Sequence, residues 1–132
     1  MNALAVVGSI FMVLAAVIHL LIFVMESVLW ARPATWRRFG LRSQDDADTV
    51  APMAYNQGFY NLFLAIGAVI GVVLLYSPGW SQAGAALAIF ATASMLLAAV
   101  VLVSSSPKLL RAALIQGVAP VLGIAFLLLG LA

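Results

Sequence analysis

Apolar residues run almost unbroken through three stretches of this chain, and polar residues gather between them. Residues 1–25, 49–107 and 112–132 contain no Asp, Glu, Lys or Arg. A helix crossing ~30 Å of hydrocarbon at 1.5 Å per residue needs about 20 apolar residues. The first stretch holds one such span, at 3–30. The second is too long for one helix and is interrupted by Ser77-Pro78-Gly79-Trp80-Ser81, a turn signal, so it holds two, at 53–76 and 82–103. The third holds one, at 110–131. The pattern predicts an all-α, polytopic membrane protein. Four transmembrane helices would form one up-down bundle over 1–132, with a short outer loop and a longer basic first loop.

Composition agrees. Of 132 residues, 66% are hydrophobic and only 8% are charged, with a mean hydropathy of +1.20. Soluble chains carry ~25% charged residues, and a chain this poor in charge has too little polar surface to be a soluble domain. Net charge is +2, too little for a phosphate-binding stripe, so no nucleic-acid partner is expected. Cysteine is absent, which removes disulfides and thiolate metal sites. The first span reads as retained, since Met1-Asn2-Ala3-Leu4 has no basic residue and the apolar run exceeds a signal peptide's.

The charges are placed unevenly. The first loop, 31–51, carries Arg32, Arg37, Arg38 and Arg42 with Asp45, Asp46 and Asp48. The third, 104–111, carries Lys108 and Arg111, and the middle loop has no charge. Loops one and three of a four-helix chain share a side, so the positive-inside bias makes that side cytoplasmic and puts both termini outside. Pro33, Trp36, Arg37, Phe39 and Arg42 fit a short amphipathic turn on lipid headgroups. An ordinary basic juxtamembrane loop explains them too, and charge bias alone favours it. Ser43 and Asp46 have capping-box spacing, which predicts a helix starting near Gln44. Pro52 would then kink that helix or sit in the first turn of the span.

Small residues are frequent: Gly67-x3-Gly71, then Gly84, Ala85, Ala86, Ala88, Ala91 and Ala93. They let helices approach closely in lipid, and packing within one chain is favoured over a homo-oligomer seam, although such pairs serve both.

Function turns on polar residues inside the spans, which are costly there and usually face the protein interior. His19 and Glu26 are seven apart and share a stripe with Phe23 and Trp30. The second span offers Tyr55, Asn56, Gln57, Tyr60 and Asn61, and the fourth Gln116. The third has only Thr92 and Ser94, which can bond back to their own helix. Counted from the cytoplasmic ends at helical rise, Glu26, Asn56, Gln57 and Gln116 lie ~5–8 Å deep, Asn61 ~12 Å and His19 ~16 Å. Three spans thus bring polar groups to one half of the membrane. As interhelical glue they would exchange hydrogen bonds only. As a pocket, Glu26 and His19 would handle protons or a polar headgroup. The balance favours a functional Glu26 and structural Asn56 and Gln57.

These residues also carry a resemblance. His19-x3-Phe23-x2-Glu26-x3-Trp30 is followed by Phe39-Gly40-Leu41, by Asn56-Gln57-Gly58-x-Tyr60-Asn61-x2-Leu64-Ala65-x-Gly67, and by Gln116-Gly117. The chain resembles a family of small bacterial four-helix membrane proteins whose domain is catalogued as of unknown function, some carrying an automatic "epimerase" label. It departs from the family in placing Val118-Ala119 before Pro120, which shifts the expected bend of the last helix. The resemblance implies the architecture, a bacterial inner membrane and the choice of polar residues. It supplies no reaction.

Other chemistries lack their residues. With one histidine and no cysteine there is no credible metal or haem ligand set, and no Gly-x-Ser-x-Gly elbow or phosphate-cradling loop is present. No cofactor is expected, and the case for an enzyme is weak; an isomerase acting on a lipid is the surviving version. The best-fitting function is binding of a lipid or small amphiphile in a polar pocket. Its candidate residues are His19, Glu26, Trp30, Asn56, Gln57, Tyr60, Asn61 and Gln116. The alternative is a proton-coupled small-molecule transporter using Glu26, by analogy of size with small multidrug exporters.

Overall fold

The computed structural model describes residues 2–132. Helix α1 spans Ala3–Phe23 and runs directly into a π turn, Val24–Val28. A single helical turn α2, Pro33–Trp36, leads into a 3₁₀ turn, Arg37–Phe39. Then come α3, Gln44–Leu75, α4, Ser81–Ser105, a 3₁₀ turn, Pro107–Leu109, and α5, Leu110–Leu131. Among the described residues, four helices are long and apolar enough to cross a membrane, and no strand occurs. The protein is an all-α, multi-pass membrane protein.

The first span ends early, and the second helix starts where the capping-box spacing placed it. The first span ends at Val28, because Leu29 leaves helical geometry (φ −106°, ψ 8°). The second helix starts at Gln44, nine residues before Met53, where Ser43 Oγ accepts from Asp46 N at 3.1 Å. The hydroxyl satisfies one of the N–H groups that a helix start leaves without an intrahelical partner. Pro52 lies inside this helix, which continues through it. The carbonyl it deprives of a donor belongs to Asp48, which is exposed and open to water. The last helix starts and ends where expected and includes Pro120 without interruption.

Contacts divide the chain into two compact units, Met1–Ile18 with Leu64–Ala132, and His19–Phe63. The first unit is a bundle whose core is built mainly from alanine. One cluster joins Ala15, Ala16, Ala65, Ala68, Ala91, Met95 and Ala119, and another Ala5, Met12, Leu75, Ala88 and Leu127. Such short side chains bring backbones into contact. A Cβ at Gly71 would fall on Ala88 N and one at Gly84 on Leu75 N. The seam of Gly67-x3-Gly71 is thus used within the chain. Thr92 Oγ1 donates to Ala88 O at 2.7 Å and Ser94 Oγ to Phe90 O at 2.8 Å, as expected of hydroxyls in apolar helices. The connection between α3 and α4 turns at Gly79, whose φ of 79° suits glycine.

The second unit contains the π turn, the loop 29–43 and the first half of α3. The loop is folded. Trp30 Nε1 donates to Ala47 O at 2.9 Å, and the Trp30 ring meets Phe39 at 5.3 Å. Thr35, Trp36 and Ala47 are buried, while Arg32, Arg37, Arg38 and Arg42 are exposed. Trp36 is thus inside the folded loop and the arginines are outside it.

Candidate functional site

Along α1 and the π turn that continues it, Ala5, Met12, His19 and Glu26 recur every seven residues, and all four are buried. Two members of this stripe carry titratable groups; His19 is 1% exposed and Glu26 8%. Glu26 sits in the π turn, which the i→i+5 bond from Leu29 N to Val24 O closes at 2.9 Å. The turn closes the C-terminal end of the first span, a common place for such turns.

Along α3 the buried positions are Ala47, Ala54, Gly58, Ala65, Ala68, Gly71 and Leu75, with half-buried Asn61 on the same stripe. Gly58 faces the π turn of the same unit. A Cβ there would overlap Ser27 Oγ and lie 3.1 Å from Glu26 Cβ and 3.2 Å from Phe23 O. The missing side chain lets the two backbones meet. Ser27 Oγ donates to Tyr55 O at 2.8 Å and fastens the crossing. One turn further along α3, Asn61 Nδ2 donates to Glu26 Oε2 at 2.9 Å and to Gln57 O at 3.1 Å. The amide N–H₂ has two hydrogens, and each has an acceptor. Glu26 is left with most of its acceptor capacity, since a carboxylate offers about four lone-pair sites. The same unit holds a run of aromatic contacts: Phe23 meets Phe59 edge-on at 5.2 Å, and Phe59 meets Tyr55 at 5.0 Å and Phe63 at 6.2 Å.

A family model described as "Protein of unknown function (DUF1304)" matches residues 13–128. The chain belongs to the DUF1304 family. No curated protein and no solved structure matches it. The DUF1304 match covers every candidate residue named from the sequence, from His19 to Gln116.

Of those candidates, Glu26 and Asn61 meet directly. His19 is buried on the stripe that carries Glu26. Asn56, Gln57 and Tyr60 have exposed side chains on other faces of α3, and only the Gln57 carbonyl touches the pair. Trp30 lies beyond the helical stripe and straps the loop to Ala47. Gln116 is half-buried on α5, in the other unit. Among the described residues, no group of three or more His, Cys, Asp or Glu could hold a metal ion.

Three residues escaped the sequence reading of the site. Ser27 and Gly58 form the crossing; an adjacent hydroxyl and an Asn-Gln-Gly run were their only signals. Trp36 is the third. It is 3% exposed, and its Nε1 is buried without a hydrogen-bond partner in the protein. Leaving such a donor unsatisfied costs about 1–3 kcal/mol. The Arg37 guanidinium carbon lies 5.3 Å from the centroid of its ring.

Proposed function

We propose that this DUF1304 protein binds a lipid or small amphiphilic molecule at the Glu26–Asn61 pair. One observation carries the reading: a carboxyl group 8% exposed within a membrane span receives a single amide hydrogen bond from its fixed neighbour. Buried carboxyl groups normally have their acceptor sites filled. A hydroxyl, amide or amine on a ligand would use those that remain, while Phe23, Phe59 and Phe63 offer apolar wall to its chain. The arginine-bearing loops are cytoplasmic and both termini outside in this proposal, which puts the pair in the cytoplasmic half of a bacterial inner membrane.

Native mass spectrometry of the purified chain in mild detergent tests this. Wild type should retain a small amphiphile that Glu26→Gln and Glu26→Ala lose while keeping their fold. Retention by all three proteins would refute the site. A proton-coupled transporter is the second reading, favoured because Glu26 is the one acidic side chain of the first span. Flux into proteoliposomes driven by a proton gradient, and abolished in Glu26→Gln, would select it.

A further inference from the structure

The folded loop carries a second group of polar side chains, which shares no residue with the Glu26–Asn61 pair. Four arginines stand exposed there, and none is joined to Asp45, Asp46 or Asp48 among the described residues. The acids are occupied at the start of α3. Asp48 Oδ1 accepts from Gln44 Nε2 at 2.8 Å, and Asp45 and Asp46 lie in the first turn, where the helix dipole favours negative charge. The segment 31–51 carries four arginines against three aspartates, a net charge of +1, and among the described residues the arginines stand unpaired. It is also held in place, because Trp30 ties the loop to both Phe39 and Ala47.

Within this frame Arg37 and Trp36 form a built pair. The guanidinium lies over the indole ring, an arrangement that fixes the cation while leaving its N–H edge free for a planar or tetrahedral oxyanion. The indole under it carries a buried N–H that has no partner in the protein. A charge-assisted donor and a neutral donor carried by adjacent residues are groups that can grip a phosphate oxygen. The loop connects two spans, 3–28 and 44–75, and so stands at the level of lipid headgroups. We infer that Trp36 and Arg37 form a headgroup site for an anionic phospholipid, binding its phosphodiester through the Arg37 guanidinium and the Trp36 Nε1–H. Arg38 adds charge to the same exposed face.

Diffuse attraction between basic loops and anionic membranes depends only on the number of charges. A site depends on geometry, so the conservative substitutions decide. Full-length protein in detergent is titrated with phosphatidylglycerol or with phosphatidylcholine of the same acyl chains, and bound lipid is read by native mass spectrometry. Wild type should prefer phosphatidylglycerol. Arg37→Lys keeps the charge but loses the fork and the stack, and should weaken that binding by about tenfold, one charge-assisted hydrogen bond. Trp36→Phe keeps the ring and removes the donor, and should weaken it by about threefold, the scale of a neutral hydrogen bond. The double variant Arg32→Gln/Arg42→Gln removes two charges elsewhere on the loop and should retain the preference. The inference is overturned if wild type holds both lipids equally. It is also overturned if Arg37→Lys or a folded Trp36→Phe binds like wild type, or if the Arg32/Arg42 variant loses as much as Arg37→Lys. Displacement of the lipid by millimolar inorganic phosphate would overturn the lipid as ligand.

Discussion

Asn61 donates its side-chain amide to Glu26 across 2.9 Å, joining two residues 35 apart in sequence and tying the π turn to α3. The bond makes separate predictions for the fold and for the site.

Glutamine in place of Glu26 can still accept from Asn61, so Glu26→Gln should melt close to wild type in detergent. Glu26→Ala removes the acceptor and should cost about 0.6 kcal/mol for the interhelical bond, plus lost packing. Thermal unfolding of the three proteins measures both. A Gln variant that loses its ligand while melting normally separates the function of the carboxyl from its place in the fold.

Gly58→Ala inserts a Cβ onto Ser27 Oγ and close to Glu26 Cβ and Phe23 O. Overpacking of this kind costs about 1–3 kcal/mol. Ser27→Gly removes the overlapping hydroxyl but leaves the Phe23 carbonyl in place, so the double variant should recover only part of the loss. A double-mutant cycle in melting experiments should therefore show coupling between 27 and 58.

Gly67 and Gly71 should respond in opposite ways. A Cβ at Gly67 would sit 3.6 Å from Ala91 Cβ, ordinary contact, whereas one at Gly71 would strike the Ala88 backbone. Gly67→Ala should be neutral or stabilising by up to about 1 kcal/mol through helix propensity. Gly71→Ala should destabilise by about 1–3 kcal/mol. Matched unfolding curves of the two variants check this, and equal losses would place the seam elsewhere.

All six Lys and Arg residues fall in the first and third loops, which gives a prediction for topology. A C-terminal reporter that works only in the cytoplasm should be silent, and one that works only outside it should be active. The reverse result would invert the orientation and the side on which both proposed sites lie.

Much of the fold was legible in the sequence because the lipid solvent leaves few choices. A backbone crossing hydrocarbon must satisfy its own hydrogen bonds, so charge-free stretches of the right length become helices. Ser43 and Asp46 announced the start of α3, and Ser77-Pro78-Gly79 its end, because caps and turns are local chemistry. Which amide faces Glu26 was half legible. Ala54, Gly58, Asn61, Ala65 and Ala68 form a stripe of small residues at helical spacing, and Asn61 is its polar member. Asn56, Gln57 and Tyr60 lie off that stripe, although hydropathy alone ranks the two amides with Asn61.

Tertiary structure decided the rest. A π turn differs from an α turn by one step of hydrogen bonding, so the run Val24–Val28 reads as ordinary helix until Ser27 and Gly58 are seen to close the crossing. Trp30 continues the His19–Glu26 spacing on paper. Leu29 ends the helix before it, and its indole goes to Ala47 instead. The burial of Trp36 and the exposure of its neighbouring arginines come from the loop folding back on itself through Trp30 and Phe39. The sequence by itself determined where the chain must be helical, since that follows from length, polarity and capping within a few residues. Only the tertiary structure decided which polar groups meet, since that depends on close backbone approach between segments far apart in the chain.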